Sequence, residues 1–447
     1  MSDVVERFGS RRAFIVAVTG AAVGLGNIWR FPWVAGENGG GAFLALYGVF
    51  ILLLGLPIMV AEIMIGRAGR RTPVQALVAL AAESGASRRW GLVGVLGMAT
   101  LFLILSFYSV VSGWSIEYLK EALTGQLSGA SPDEIAGALD TFLASPGRVI
   151  TQHTLFLVLT MGVVACGVGA GLERLNNLLM PLLYLLLLVL VGYAATTDGF
   201  ATALDWLFRP DLSSLTQTAM FNAMGHAFFT LAAGAGALMT YGAYMPASQS
   251  LPRAVAAVAL LDVAVALLAG IAIFSIVFSR GMDPGAGPGL MFVTLPIAFA
   301  DLPGGALWLG AFFLLLLTAT WTSSINMAEP MVATLVDAGL SRRRAVLFVG
   351  LAVWLGGLPS ALSFSLWSDL AFFGDMTVFD MVTTVPIDFM LPVGGILIAV
   401  FAAWVMPPAR ALEGLGSGER FYRYWRWLTR WVSIPLLALV LTGTLIL

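Results

Sequence analysis

Few residues in this 447-residue chain can do chemistry, and those that can are oxygen donors set in apolar surroundings. Asn27 closes the stretch VTGAAVGLGN, Thr230 opens TLAAGAGA, Asp262 interrupts ALLDVAVALLAG, and Thr322, Ser323 and Ser324 form the cluster WTSSIN. Neutral oxygens with one carboxylate suit a hard cation, and uncoiled backbone adds carbonyl ligands. Only two histidines and one cysteine are present, so sodium fits better than a transition metal. Each hydroxyl alone has an ordinary alternative, bonding back to its own helix or across to another. It is their company with Asp262 that points to an ion. Glu62 and Glu329 also fall in apolar runs and are read as network residues. Glu329 precedes Pro330, so it serves either the backbone groups that the proline frees or proton handling.

The glycines of the first stretch admit two readings. Thr19, Gly20, Gly24 and Gly26 follow the T-G-x-x-x-G-x-G spacing of a dinucleotide-binding turn. Alternatively they interrupt a membrane helix. The nucleotide reading needs a preceding strand and an acidic residue about 20 positions further on, whereas Glu37 is closer than that and WRFPW is no Rossmann helix. The A-x-G-x-G pattern of residues 22–26 returns within 230–237, five segments later. Paired glycine interruptions point to an inverted repeat around a midplane site.

The elements that must position these residues follow from composition. Hydrophobic residues make up 59% and charged residues 11%, against about 25% charged in a soluble domain. A formal charge of −2 gives no basic patch, which argues against nucleic acid as a partner. The single cysteine, Cys166, excludes an internal disulfide and reads as a packed small hydrophobe. The basic N-terminus runs into apolar sequence without a small-residue cleavage site, so it is expected to be retained.

With about 20 apolar residues per bilayer crossing, the sequence predicts segments over 11–36, 41–66, 91–122, 150–169, 174–196, 216–243, 253–280, 305–337, 343–360, 377–406 and 427–447. An N-terminus on the cytoplasmic side places 18 of the 23 Arg and Lys residues in cytoplasmic positions. The outer loops are longer, and the one from Met282 to Gly305 has enough apolar residues to fold back onto the helices. Trp206, Trp308 and Trp367 are expected as interfacial anchors. The fold class is therefore all-α integral membrane, a single transporter domain over 1–447 with eleven transmembrane helices. Helices 1–5 (11–196) and 6–10 (216–406) form two inverted five-helix repeats, helices 1 and 6 are broken, and helix 11 (427–447) is extra.

GLGNIWRFPWVAGENGGGAF, YSVVSGW, FFTLAAGAGALMTYGAY and TSSINMAEP together resemble the neurotransmitter:sodium symporter family, and most of all its bacterial amino-acid transporters. The likeness runs over essentially the whole chain. It implies one sodium site built from the Ala22 carbonyl, Asn27, Thr230, Asp262 and the substrate carboxylate. It implies a second from the Gly20, Val23 and Ala319 carbonyls with Thr322 and Ser323. Tyr108 and the amides of Leu25 and Gly26 would hold the substrate carboxylate. Ala22, Ile104, Phe229, Thr230, Ala232, Ala235, Ser323 and Met327 would line the rest of the pocket. The family's amine transporters carry an aspartate where Gly24 stands, so the substrate should bring its own carboxylate. Ala232 and Ala235 replace larger residues, which predicts a bulky hydrophobic or aromatic amino acid.

At the outer gate the resemblance places Arg30, Tyr108 and Phe229, with His226 in place of the usual glutamine. Thr383 stands in place of the gate aspartate, and Asp380 or Asp388 is available through another register. The inner gate retains Asp337, with Val5 at the family's arginine position and Arg7 as a stand-in. Ala266 occupies the position linked to chloride dependence, and Asp262 would supply the negative charge, giving chloride independence. The resulting expectation is a non-enzymatic sodium symporter, multi-pass in a bacterial inner membrane. Its partners would be the amino acid, sodium and the lipid bilayer, with no protein partner. The alternatives are a non-transporting sensor on the same scaffold, a carrier of another carboxylate-bearing solute, or a membrane oxidoreductase.

Overall fold

The computed structural model describes residues 8–127, 130–211, 213, 215–246, 249–300, 302–372 and 374–446. Apolar side chains on all faces leave the backbone amides nowhere to go but their own helices. The chain accordingly forms long helices. α1 (Arg11–Ala22) starts at Ser10, whose side chain accepts from the Ala13 amide at 3.1 Å. After a short break α2 (Gly26–Glu37) leaves at 52° to it. There follow α3 (Gly41–Gly69), α4 (Arg88–Thr124), α5 (Pro146–Ala165) and α6 (Val168–Ala194). A second broken pair, α7 (Gln217–Thr230) and α8 (Ala237–Tyr244), is separated by residues 231–236. α9 (Leu251–Ser279), α10 (Gly305–Asp337), α11 (Arg342–Leu362) and α12 (Val378–Val405) continue the bundle. It ends in α13 (Glu419–Leu428) and α14 (Ile434–Ile446).

Among the described residues eight of these helices are long and apolar enough to cross a membrane, and nine if α1 and α2 count as one span. α7 and α8 fall short because the break divides them: 14 residues at 1.5 Å each rise only about 21 Å. The broken pairs sit inside the bundle, α1 against α9 and α10, α8 against α3. Backbone contact at α3 and α8 is close enough that a Cβ on Gly66 would fall on the Met239 carbonyl.

The connection after α9 does fold back. Its helix Thr294–Ala300 buries Leu295 and Phe299, and Phe292 packs on Trp114, Tyr118 and Phe313. Trp206 lies against Phe274 and Phe278, and Trp308 stacks on Tyr193 at 4.1 Å. One expectation is corrected: Cys166 is exposed. It stands at the C-terminal cap of α5, where the helix has ended.

Candidate functional site

The site is made by the two helix breaks. Thr230 ends α7, and the next six residues include Ala232, Gly234 and Gly236 at φ +51°, +98° and +72°. Such a segment frees amides that hydrocarbon cannot satisfy. Buried Glu62 of α3 satisfies one of them, accepting from Gly234 N at 2.5 Å, and also the Leu238 N of the first turn of α8 at 3.2 Å. That is the network role left open by the sequence. In α1 the break falls at Val23–Leu25, and Gly24 there touches two other elements: a Cβ would collide with the hydroxyls of Ser323 and Tyr108. The glycine stretch thus leads from one helix into another, with no strand before it, and the dinucleotide reading fails.

Two oxygen clusters flank the breaks. In the first, Asn27 Nδ2 donates to Asp262 Oδ1 at 2.7 Å and to Thr230 Oγ1 at 3.1 Å. Thr230 Oγ1 in turn donates to Asp262 Oδ2 at 3.1 Å, and Tyr47 from α3 donates to the same oxygen at 3.4 Å. Asn27 and Asp262 are fully buried, and Thr230 nearly so. In the second, Ser323 Oγ donates to the Val23 carbonyl at 2.7 Å and the Gly20 carbonyl at 3.3 Å. Thr322 Oγ1 donates to the Ala319 carbonyl at 2.8 Å. Apart from the donating Asn27 amide nitrogen, both clusters offer oxygen lone pairs of the kind a hard cation takes, with one carboxylate between them. The donor set fits sodium as a transported ion.

Between the clusters lies a pocket whose wall includes Ala22, Leu25, Gly26, Ile104, Tyr108, Phe229, Thr230, Ala232, Ala235, Ser323 and Met327, all of them anticipated. Tyr108 Oη accepts from the Leu25 amide at 3.1 Å. Ala21, Leu101, Ala237, Asn326 and Leu391 also line it and were missed. Asn326 is one helical turn beyond Thr322, to whose carbonyl it donates at 2.7 Å, so the helical period was the available signal. Leu391 had none, since it lies in an unbroken apolar run.

Above the pocket is a vestibule of about 480 Å³, walled by Trp29, Arg30, Phe107, Phe379, Thr383 and Asp388 among others. Leu25, Tyr108 and Phe229 belong to both spaces and divide them. Arg30 stands over the Phe229 ring at 4.9 Å and pairs with Asp388 at 3.9 Å. Both residues of this pair ride on π-helical turns, Gly26–Arg30 and Val385–Met390. Here Thr383 yields its expected place. Its hydroxyl bonds back to Phe379 and Asp380, Asp380 caps its own helix at Thr377, and the acid facing Arg30 is Asp388. In an α-helix residues five apart diverge by about 140°, but a π turn closes i to i+5 and brings them onto one face.

His226, expected at the outer gate, is fully buried among Phe31, Phe43 and Tyr47, with ring centroids 5.8, 6.0 and 5.1 Å away. At the opposite end Asp337 accepts from the Thr72 hydroxyl at 2.7 Å. Val5 and Arg7 lie outside the described residues. Glu329 pairs with Arg342 at 2.5 Å and accepts from Tyr244 at 3.2 Å.

Comparison with known proteins supplies what geometry does not. The model of the sodium:neurotransmitter symporter family matches residues 5–134 and 135–446. The chain belongs to this family. An uncharacterized sodium-dependent transporter of Bacillus subtilis, YhdH, is 36% identical over 98% of this chain and 97% of its own length. One of Haemophilus influenzae is 30% identical over 98% and 97%. The crystal structure of MhsT in complex with L-phenylalanine superimposes with a TM-score of 0.90 at 39% identity, covering 98% of this chain and 99% of that one. Membership in the family makes the protein a sodium-dependent, multi-pass membrane transporter. Its relatives carry solutes and are not enzymes.

Proposed function

We propose that the protein uses inward sodium flow to import a bulky hydrophobic or aromatic L-amino acid by alternating access. The observation that carries this reading is the shared wall: Thr230 and Ser323 belong both to the oxygen clusters and to the pocket. A carboxylate held at the Leu25 amide and Tyr108 would complete the coordination of an ion at Asn27, Thr230 and Asp262. The second ion would sit at Gly20, Val23, Ala319, Thr322 and Ser323. Ala232 and Ala235 leave space for a large side chain, and the similar MhsT structure contains L-phenylalanine. Asp262 would provide beside sodium the charge that chloride otherwise brings, with Ala266 contributing none.

In this reading the chain crosses a bacterial inner membrane eleven times from a cytoplasmic N-terminus. Residues 11–196 and 216–406 form the inverted repeats, and 427–447 follows them. The Arg30–Asp388 pair gives the outer gate an ion pair, which favours transport over a sensor. The experiment is uptake of labelled tryptophan, tyrosine, leucine and alanine into proteoliposomes with and without an inward sodium gradient. Sodium-driven accumulation of the large substrates is expected. Sodium-dependent binding without accumulation would establish the sensor instead.

A further inference from the structure

Beside the transport path, the arginine-rich end of the molecule carries an apolar groove of about 410 Å³. Leu56, Pro57 and Val60 of α3, Val255 of α9, and Tyr424 and Trp427 of α13 are among its walls. α13 is clamped there: Trp425 Nε1 donates to the Pro57 carbonyl at 3.0 Å, and Arg426 and Arg430 both donate to the Ala403 carbonyl, at 2.8 and 3.0 Å. The helix therefore holds its aromatic residues in place. Tyr424, Trp427 and Trp431 are nonetheless 65%, 59% and 65% exposed. Between residues 419 and 430 four arginines face a single acid, Glu419. Arg420 and Arg423 are exposed and have no ion pair among the described residues.

An apolar slot bordered by exposed Trp, Tyr and Arg is matched by a molecule with a hydrocarbon tail and an anionic head. We propose that this groove binds an anionic phospholipid, its acyl chain against α3, α9 and Trp427 and its phosphate at Arg420 and Arg423. Neutral lipid would gain the apolar contact alone. The inference rests on the chain lying in a bilayer and is independent of the substrate it carries.

Purified protein in phosphatidylcholine vesicles, titrated with brominated phosphatidylglycerol or brominated phosphatidylcholine, tests it through tryptophan quenching. The anionic lipid should compete the better for the protein surface. Each arginine contributes roughly fivefold to that preference, so Arg420→Gln with Arg423→Gln should bring the ratio close to one. Trp427→Phe should remove the component of quenching specific to the anionic lipid, so that the remaining signal is quenched alike by the two lipids. Equal quenching by the two lipids in the unmodified protein would overturn the proposal. So would a preference that survives loss of both arginines, lipid-specific quenching that survives loss of Trp427, or a dimer cross-linked through this face.

Discussion

Asp262 is the one carboxylate in the two oxygen clusters, and Asn27, Thr230 and Tyr47 all direct polar hydrogens at it. Hydrogen bonds to a charged group contribute about 1.5–3 kcal/mol each, and a cation bound there depends on the same charge. Asp262→Asn should therefore raise the sodium concentration for half-maximal uptake by about tenfold or more, read from a sodium titration in proteoliposomes. An unchanged half-saturation would remove Asp262 from the ion path. The pocket makes a separate claim through Ala235, which is 3% exposed on a wall with Ile104 and Met327. Ala235→Phe fills the space that a large substrate would occupy. Since one methylene in an apolar pocket discriminates by about 1–3 kcal/mol, tryptophan uptake should fall at least about tenfold while alanine uptake stays within about threefold. Equal losses for both would mean that Ala235 does not face the substrate side chain.

Elements decide what single residues cannot. The expectation of broken first and sixth segments was legible because glycine clusters inside apolar runs have few other uses, and the polar cluster around Asp262 was legible because polar side chains in hydrocarbon need partners. Which acid pairs with Arg30 was left open between Asp380 and Asp388, because choosing Asp388 requires knowing that Val385–Met390 winds as a π turn, and nothing in VPIDFM announces one. The surroundings of His226 were not legible either: its helix face, set by the packing of α7 on α3, turns it toward Phe43 and Tyr47. The π-turn account can be tested directly. Thr383→Ala should leave transport within about twofold, since its hydroxyl only bonds its own helix. Asp388→Asn should speed substrate escape to the outer side, measured as faster dissociation of labelled substrate. It should change unfolding stability by less than about 1 kcal/mol, as the pair is partly exposed. Glu62 has the opposite profile. Glu62→Ala leaves the Gly234 and Leu238 amides unpaired in the core, at about 1–3 kcal/mol each, so thermal stability in detergent should fall measurably even without ligand.

At the scale of the whole molecule the two oxygen clusters and the pocket are one object, because Thr230 and Ser323 belong to both and the breaks of α1 and α7–α8 carry ligands for all three. Coupling is then a free energy between sites, and it must be reciprocal. If saturating sodium tightens substrate binding by some factor, saturating substrate must tighten sodium binding by the same factor. Couplings of about 1–3 kcal/mol give factors of 5–150. Scintillation binding of labelled amino acid at graded sodium, set beside sodium titrations at graded amino acid, measures both sides of this cycle. Thr230→Val should reduce both factors together, because it removes an oxygen shared by the Asp262 cluster and the pocket while keeping the shape of the wall. A factor of one on either side would mean that the ion and the amino acid occupy the protein independently. A carrier so built would leak sodium, because nothing would confine its rocking to the fully loaded or empty state.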